Sequence, residues 1–583
     1  PATDLLRQRI GELQQHVIRV LDRGPVPQIV IFEYLTSRLA EMRGPAHAQH
    51  LLAEGRRAID NGRPERLRTI NPQPRARLDD ETNTAHGLFS TVNPVRLDVA
   101  GCRFRLPYPD RRRMGGEAVF RAWGRRAVVM LAVLAGCLAC GGPGEEGTPV
   151  GPVAPVAGAV VRLGADWPTY HGDNARAGFS ADDPDPVNPA VAWQARLDGA
   201  VYASPIVVGQ RVIAATEAGS LYALDAHTGA VLWRAHLADP VPGSDLPCGN
   251  IDPIGITGTP AYDPSTDLVF AVATQAGVVH TLYGVDAASG QVRQHRPADA
   301  PGSDPATHLQ RGALLVSGGM VYVPYGGNYG DCGQYLGRVV ALPVSGTGPM
   351  LGFAVPTTRE AGMWAPPGAT ALPAGDLLVT TGNGEAVSGD WDHSDSVLRL
   401  SPTLELRDGF APTEWAEENS EDADLGSTGP VLLPGARQVV AAGKGGGVYL
   451  ADVDALGGVG GQRAKLSNCQ SYGGGAATPG SGGASVAYLP CESGLLQVLV
   501  GPGDRMAKGW QAPKKITGSP VVVGRTVWSV QRDGTMYALD AQDGRQLATV
   551  PVGAASRFAT PAVSGSALFV PTLAGVTAVA ITR

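Results

Sequence analysis

The chain has 583 residues, of which 78 are Gly and 47 are Pro, about one residue in five against a usual one in eight. This composition excludes a mostly helical protein, and a hydrophobic fraction of 43% excludes global disorder. A formal net charge of -7 supplies no basic field to hold phosphates, which disfavours a nucleic-acid partner. Gly and Pro in excess, together with many Val, Ala and Tyr, are typical of short strands joined by tight turns, so we expect an all-β protein.

Residues 1–113 form a leader of two parts. Residues 1 to about 50 carry apolar side chains at three- and four-residue spacing, which predicts helix. The following stretch to residue 113 is rich in Arg and broken by Pro, and neither part shows residues in a catalytic or metal-binding pattern. We expect a helical N-terminal segment followed by a solvated basic tail.

Residues 114–137 have the pattern of a bacterial lipoprotein signal peptide. Three Arg residues between positions 121 and 126 precede an unbroken apolar run over 127–135, which is too short to span a bilayer. The run ends in the letters LAGC, which resemble a lipobox and predict that Cys137 is lipidated after cleavage before it. Because a signal peptide has to lie at the N-terminus, we expect residues 1–113 not to belong to the mature protein.

Residues 138–165 consist largely of Gly, Pro, Val and Ala, a composition that suits an extended tether between a lipid and a folded domain over 166–583. The sequence therefore predicts a lipid-anchored protein of the bacterial cell envelope, on its periplasmic or extracellular side.

Four cysteines lie in the folded part: Cys248, Cys332, Cys469 and Cys491. An even number in an exported chain suggests disulfides. Proximity in the sequence favours a bond between Cys469 and Cys491, which leaves Cys248 for Cys332. Zinc is the less favoured alternative, since none of the four belongs to a CxxC pair, and no CxxCH motif implies attached haem.

Residues 166–583 contain internal repeats. Ser204-Pro205 opens a segment that ends at Trp233, and Ser519-Pro520 opens a similar one that ends at Leu547. Weaker copies bring the number to about eight units of roughly 40 to 60 residues, each with four strands, as in propeller blades. The last copy stops without its fourth strand, while 191–197 reads as a strand without a blade. We predict that this strand completes the last blade and closes an eight-bladed β-propeller.

Within the repeats, Trp and Gly have predictable structural roles. Gly229 and Gly544 stand where hairpin turns require positive φ. Trp193 and Trp233 are large enough to fill the gaps between blades. We therefore assign these residues to packing rather than to ligand binding.

The segment YALDAHTGAVLW, which ends at Trp233, and its copies GVDAASGQV and YALDAQDGRQL resemble the tryptophan-docking repeat of the pyrroloquinoline quinone (PQQ)-like eight-bladed propellers. The resemblance covers residues 166–583. Two kinds of protein carry this repeat: PQQ-dependent alcohol dehydrogenases, and non-catalytic propellers such as the lipoprotein of the outer-membrane barrel-assembly machinery. The resemblance implies the fold and leaves the function open.

If the chain is an enzyme, the resemblance implies a site for PQQ and calcium that oxidises an alcohol or a sugar. Asn383, in LLVTTGNG, matches an Asn that binds the calcium ion, and Lys444 matches a Lys or Arg that contacts the quinone oxygens. Asp422 and Asp424 are the nearest matches to the general base that takes the alcohol proton. Trp364 is the closest candidate for the Trp on which the quinone stacks.

Two departures from the dehydrogenases point the other way. The chain has no pair of adjacent cysteines, and the sequence shows no match for the calcium-binding Glu. We therefore predict a binding or scaffold protein without a cofactor, which contacts an envelope protein partner, and keep the PQQ- and calcium-dependent dehydrogenase as the alternative. For the partner contact, the insertions at 326–337 and 385–396 are expected to supply exposed Tyr, Trp and Asp.

Overall fold

The structure of the protein is a computed structural model that describes residues 159–181, 188–435 and 437–582. The predicted helical leader, the signal peptide over 114–137 with Cys137, and most of the tether lie outside these residues. Helix is scarce in the described part: one α-helix, Trp415–Glu421, and four 3-10 turns, Gly243–Asp245, Pro305–Thr307, Leu425–Ser427 and Ser481–Gly483. None of the helices in the described ranges is long and apolar enough to cross a membrane.

The strands form eight sheets, and each sheet is one blade of a propeller. From the first to the fourth strand, the blades are: blade 1, Ile206–Val208, Arg211–Ala215, Ser220–Asp225 and Val231–His236; blade 2, Ala261–Asp263, Leu268–Gln275, Val279–Asp286 and Val292–Pro297; blade 3, Leu315–Ser317, Met320–Gly327, Arg338–Pro343 and Leu351–Ala354; blade 4, Thr370–Ala371, Leu377–Thr381, Ser396–Leu400 and Leu406–Ala411; blade 5, Val431–Leu432, Gln438–Ala442, Val448–Asp452 and Ala464–Leu466; blade 6, Ala476–Pro479, Ser485–Leu489, Leu496–Gly501 and Arg505–Gln511; blade 7, Pro520–Val523, Thr526–Val530, Thr535–Asp540 and Gln546–Pro551; blade 8, Ala562–Ser564, Ala567–Thr572, Gly575–Thr582 and Asn188–Arg196. Three short strands add to these sheets: Phe179–Ser180 on blade 7, His308–Leu309 on blade 3 and Gly458–Val459 on blade 4. The predicted all-β, eight-bladed propeller of four-stranded blades is confirmed.

Burial falls from the first to the fourth strand of a blade. In blade 1 the first strand, Ile206–Val208, is buried throughout, whereas most of the fourth strand, Val231–His236, is exposed or half-buried. Small and β-branched residues such as Val and Ala dominate the inner strands, where they pack between neighbouring sheets. The first strands therefore surround the propeller axis.

The ring closes as the sequence predicts. Strand Asn188–Arg196 pairs antiparallel with Gly575–Thr582, so that a segment from the start of the folded part supplies the fourth strand of the last blade. Closure pairs strand edges that would otherwise be free to bind other chains.

Trp193 joins the closing strand to blade 1. Its side chain is 4% exposed, its Nε1 donates to the carbonyl oxygen of Ala226 at 2.9 Å, and its ring lies on Gly229. Gly229 has φ +73°, and a Cβ there would lie 2.5 Å from the ring. The same contact recurs between Trp233 and Gly290 and between Trp510 and Gly544. The predicted packing role of these residues is confirmed.

Residues 166–180, which we call the axial segment, fill the centre of the ring. Tyr170 and Arg176 are 1% and 2% exposed. The Arg176 guanidinium donates to the carbonyl oxygens of Ala369 at 3.1 Å and Leu314 at 2.9 Å, directly before the first strands of blades 4 and 3. The Tyr170 hydroxyl bonds the hydroxyl of Thr560 beside blade 8 at 3.1 Å. One segment thus ties blades from opposite sides of the ring.

Both disulfides form as predicted, Cys248 with Cys332 and Cys469 with Cys491. The first joins the connection before blade 2 to a loop of blade 3, and the second joins the connection before blade 6 to the loop after the second strand of that blade. The first disulfide therefore links two blades, and the second fixes the connection between blades 5 and 6 to blade 6.

We expect Trp193→Ala to lower the free energy of unfolding by about 3–5 kcal/mol, because it leaves a cavity between blades 8 and 1 and an unpaired carbonyl at Ala226. Urea unfolding followed by tryptophan fluorescence measures the change. Leu232→Ala is the control: this side chain is 50% exposed, so the loss should stay within about 0.5 kcal/mol. Equal losses in the two variants would contradict the role of Trp193.

Candidate functional site

All the residues selected through the resemblance lie at one face of the propeller. Because successive strands are antiparallel, the loop after each second strand and the connection after each fourth strand emerge at the same face, which we call the upper face. Trp364 precedes blade 4, and Asn383 follows its second strand. Asp424 precedes blade 5, as does Asp422, and Lys444 follows the second strand of that blade.

Four of these residues are held together around Asp424, whose side chain is 3% exposed. Its Oδ1 accepts from the backbone N–H of Asn383 at 2.7 Å, and its Oδ2 forms an ion pair with Nζ of Lys444. Lys444 also donates to Oδ1 of Asp422 at 2.7 Å and lies 5.7 Å from the ring centroid of Trp364. The structure thus brings all five selected residues into one set, which we call the Asp424 cluster.

Charge and desolvation both shift the pKa values of Lys444 and Asp422. Burial favours the neutral amine of Lys444, but the carboxylates of Asp424 and Asp422 hold its pKa above the usual value, so the lysine stays cationic. The side chain of Asp422 is 67% exposed; partial desolvation on its inner side and the nearby charge of Asp424 together raise its pKa to about 6. A single lysine therefore faces two carboxylates.

Glu360, which sequence reasoning missed, adjoins the cluster. It is 8% exposed, its Oε2 accepts from Nδ2 of Asn383 at 3.5 Å, and its Oε1 pairs with Arg359 at 2.7 Å. Burial raises its pKa to about 7. Glu360 and Ala361 have φ of +70° and +55°, a left-handed conformation that costs energy for residues with a Cβ and concentrates at functional sites. No sequence motif marks this position.

Two further acids are buried behind Asp424. Asp395 is 0% exposed; its Oδ1 accepts from the N–H of Leu425 at 2.9 Å, while its Oδ2 finds no hydrogen-bond partner among the described residues. Glu418, in the helix Trp415–Glu421, is 9% exposed and its Oε2 is likewise unpartnered within the described part. Burial raises the pKa of Glu418 to about 7 and that of Asp395 well above its usual range. Both carboxyls are therefore biased towards the neutral form.

The two insertions differ from the expectation of exposed aromatic side chains. Tyr335 is 4% exposed and donates to Oδ1 of Asp331 at 2.5 Å. Trp391 is half-buried, stacks on His393 with ring centroids 4.2 Å apart and donates to Oγ of Ser396 at 3.0 Å. The expectation is wrong for Tyr335 and Trp391, because each loop satisfies the polar edge of its own aromatic ring. Tyr329 remains exposed, at 46%.

The oxygens of the Asp424 cluster do not fit calcium as they are arranged. Calcium takes six to eight oxygen ligands, and the described residues contain no group of three His, Cys, Asp or Glu side chains that could hold a metal ion. Asp424 is already bonded through both oxygens, and Glu360 is paired with Arg359. A calcium ion would have to displace Lys444 and Arg359 from these carboxylates.

The burial of Glu418 makes stability depend on pH. With a folded-state pKa of about 7 against an ordinary 4.5, the folded protein keeps this proton where the unfolded chain has lost it, so stability falls as pH rises from 4.5 to 7. Glu418→Gln should be more stable than the unchanged protein by about 1–3 kcal/mol at pH 8 and nearly equal to it at pH 5. Urea unfolding at both pH values measures this, with the exposed neighbour Glu417→Gln as control. A gain that is the same at both pH values, or shared by the control, would contradict it.

Comparisons with known proteins agree with this architecture. A family model described as outer membrane protein assembly factor BamB matches residues 185–323. No curated protein matches the chain in sequence.

Among solved structures, the quinohemoprotein alcohol dehydrogenase from Comamonas testosteroni is similar with a TM-score of 0.52 and 17% identity, over 71% of this chain and 80% of that one. A europium-containing methanol dehydrogenase is similar with a TM-score of 0.56 and 15% identity, over 72% of this chain and 98% of that one. BamB from Moraxella catarrhalis gives a TM-score of 0.47 and 17% identity, over 68% of this chain and 99% of that one.

At these identities the likeness to the two dehydrogenases shows the fold alone. The repeat units, the closed ring of eight blades and the matched segment 185–323 together confirm the resemblance found in the sequence. This chain therefore has the eight-bladed propeller fold and resembles the PQQ-like propellers.

Proposed function

We propose that this chain is a non-catalytic binding protein of the bacterial cell envelope, and that its upper face contacts a protein partner. The observation that carries this proposal is that neither carboxylate oxygen of Asp424 is free. Both its oxygens are bonded, to the N–H of Asn383 and to Lys444, inside a site where it is 3% exposed. A general base needs a free carboxylate oxygen within reach of the substrate proton. Asp424 acts instead as a tie between blades 4 and 5.

The surface around the cluster supports a basic partner. The helix Trp415–Glu421 and the neighbouring insertion expose four acids: Glu385, Asp390, Glu417 and Glu421. Complementary charge steers association and sets specificity more than it adds affinity. A partner with Lys and Arg at its contact surface matches this part of the upper face.

Export and lipidation belong to the same proposal. The two disulfides suit an oxidising compartment outside the cytoplasm. The described end of the predicted tether runs beside blade 8, where the N–H of Arg162 donates to Oγ of Ser566 at 3.1 Å. We propose that lipidated Cys137 holds the propeller at the membrane through residues 138–165 and leaves the upper face accessible.

Photo-crosslinking in intact cells tests the partner. A benzophenone amino acid replacing Glu421 should give a discrete adduct with an envelope protein, while one replacing Gly318, in the turn after the first strand of blade 3 at the opposite face, should not. Reversing charge with Asp390→Lys and Glu417→Lys should lower the yield of the Glu421 adduct at least about fivefold, because it removes attraction to basic residues. Equal adducts from the two faces, or a yield unaffected by charge reversal, would contradict the proposal.

In Cys137→Ser, loss of the lipid should release the propeller from membranes.

The alternative is a PQQ- and calcium-dependent dehydrogenase acting on an alcohol or sugar. The observation that favours it is convergence: Trp364, Asn383, Asp424 and Lys444 were selected one by one from the sequence, and they lie in mutual contact. Glu360 adds a carboxylate beside Asn383. For this alternative, Lys444 would have to leave Asp424, and Arg359 would have to leave Glu360. Both cations would then contact bound ligands instead of these carboxylates.

Calorimetric titration of the full chain with PQQ in calcium buffer separates the two functions. We expect no saturable, calcium-dependent binding, because the cations of the protein already neutralise Asp424 and Glu360. Binding that is lost in Asn383→Ala and kept in the exposed-site control Asn468→Ala would instead establish the alternative, and a dye-linked screen of alcohols and sugars would then identify the substrate class.

A further inference from the structure

A groove lies at the face of the propeller opposite the upper face, and we call it the lower groove. Three elements line it: the turn after the first strand of blade 2, the turn after the first strand of blade 3, and the part of the axial segment between residues 168 and 174. Its volume is about 510 Å³, within the range of small-molecule sites, roughly 300–1,000 Å³. The lower groove shares no residue with the Asp424 cluster, so it is a separate candidate site.

Asp173 supplies a carboxylate oxygen to the lower groove. The residue is exposed, and its Oδ1 accepts from the N–H of Ala177 at 3.0 Å, whereas no described residue donates to its Oδ2. The buried guanidinium of Arg176 attracts this carboxylate, but it donates to Thr169 and to three carbonyl oxygens instead of to Asp173. One oxygen of Asp173 therefore remains open to a ligand.

Asn174 adds a second acceptor. Its Nδ2 donates to the carbonyl oxygen of Val316 at 2.8 Å, which orients the amide and leaves its Oδ1 without a donor in the described part. The residues that line the lower groove include no Lys, Arg or His. These side chains favour a ligand that donates hydrogen bonds, and they give an anion no positive charge to bind.

Tyr262 places an aromatic ring in the lining, within a field of negative charge. Its hydroxyl donates to Oδ1 of Asp267 at 2.9 Å, so that proton is engaged and the ring remains for a ligand. Partial burial and the carboxylates of Asp267, Asp166 and Asp263 raise the pKa of Tyr262 to about 12. The face of an aromatic ring attracts a cation, and carboxylates around the ring add to this attraction.

The rest of the lining gives the lower groove carbon surface and an open side. Pro168 and Pro264 contribute apolar side chains. A Cβ at Gly318 or Gly319 would meet no atom within 4 Å, so the groove is open beside the turn of blade 3. A ligand with an alkyl stem and a cationic head matches both the apolar and the acceptor parts of this lining.

We propose that the lower groove binds an alkylammonium group, with Asp173 and Asn174 as acceptors for its N–H donors and the ring of Tyr262 beside the charge. An ammonium carries three donors and no acceptor, which is the complement of these side chains. The group belongs either to a free small amine or to a lysine side chain of a protein. This inference goes beyond the proposed function, which concerns the upper face.

Ligand-observed NMR titration of the full chain with butylammonium chloride, at pH 7 and constant ionic strength, tests this proposal. We expect saturable binding, and no binding of 1-butanol, which has the same stem without the charge. Asp173→Asn keeps the acceptor for Ala177 and removes the charge, so it should weaken binding at least about fivefold. Tyr262→Leu should weaken it about threefold, because it removes the ring. Asp533→Asn is the control: this exposed acid also accepts from a backbone N–H in a turn, but at the upper face, so its loss should leave the affinity unchanged.

The same titration with Nα-acetyl-lysine amide identifies the source of the group. Equal affinity for the two probes assigns the lower groove to lysine side chains, and binding of butylammonium alone assigns it to free amines. Absence of saturable butylammonium binding overturns the proposal, as does equal binding of 1-butanol or unchanged affinity in Asp173→Asn. PQQ titration and crosslinking from Glu421 report on the upper face, so failure here is distinguishable from failure of the proposed function.

Discussion

The pairing of Asn188–Arg196 with Gly575–Thr582 is the interaction on which the rest of the structure depends. It joins the two ends of the folded part, so eight sheets become a ring instead of an open row with free edges. Trp193 on this strand then packs against blade 1 through Gly229, and the same Trp–Gly contact recurs at other blade boundaries. Closure and blade packing are therefore parts of one cooperative arrangement, in which each interface requires its neighbours to be in place.

A ring of eight blades leaves space on its axis, and the axial segment fills it. Arg176 is fully buried and donates to backbone carbonyls at the entry of two blades, so its charge is compensated by peptide dipoles. Burial lowers its pKa to about 10, which keeps it charged at neutral pH. The segment thus acts as a hub between the first strands. It also places Tyr170 in the lining of a small pocket on the propeller axis, so the element that stabilises the centre of the ring shapes the space above it.

Sequence reasoning reached the features that repeat and missed those that occur once. The blades, the closing strand, both disulfides and the role of Trp193 follow from periodicity, from a leftover strand or from proximity. The axial segment carries single polar residues without a period, so nothing in its pattern marks Arg176 as a central side chain. Glu360 joins the Asp424 cluster only because the connection before blade 4 folds back through a left-handed turn. The sequence predicts that Tyr335 and Trp391 are exposed loop aromatics. It does not show the hydrogen bonds that each makes within its own loop.

The charges of the upper face decide how its candidate sites differ. Lys444 is matched by Asp422 and Asp424, and Arg557, which lies 4.0 Å from the ring centroid of Tyr472, is matched by Glu492 at 2.7 Å. Both cations therefore act within the protein, and a ligand would have to compete with their carboxylates. Arg311 has an aromatic ring on one side and no paired carboxylate in the described residues. Asp424, which is bonded to Asn383 and paired with Lys444, thus ties blades 4 and 5 together.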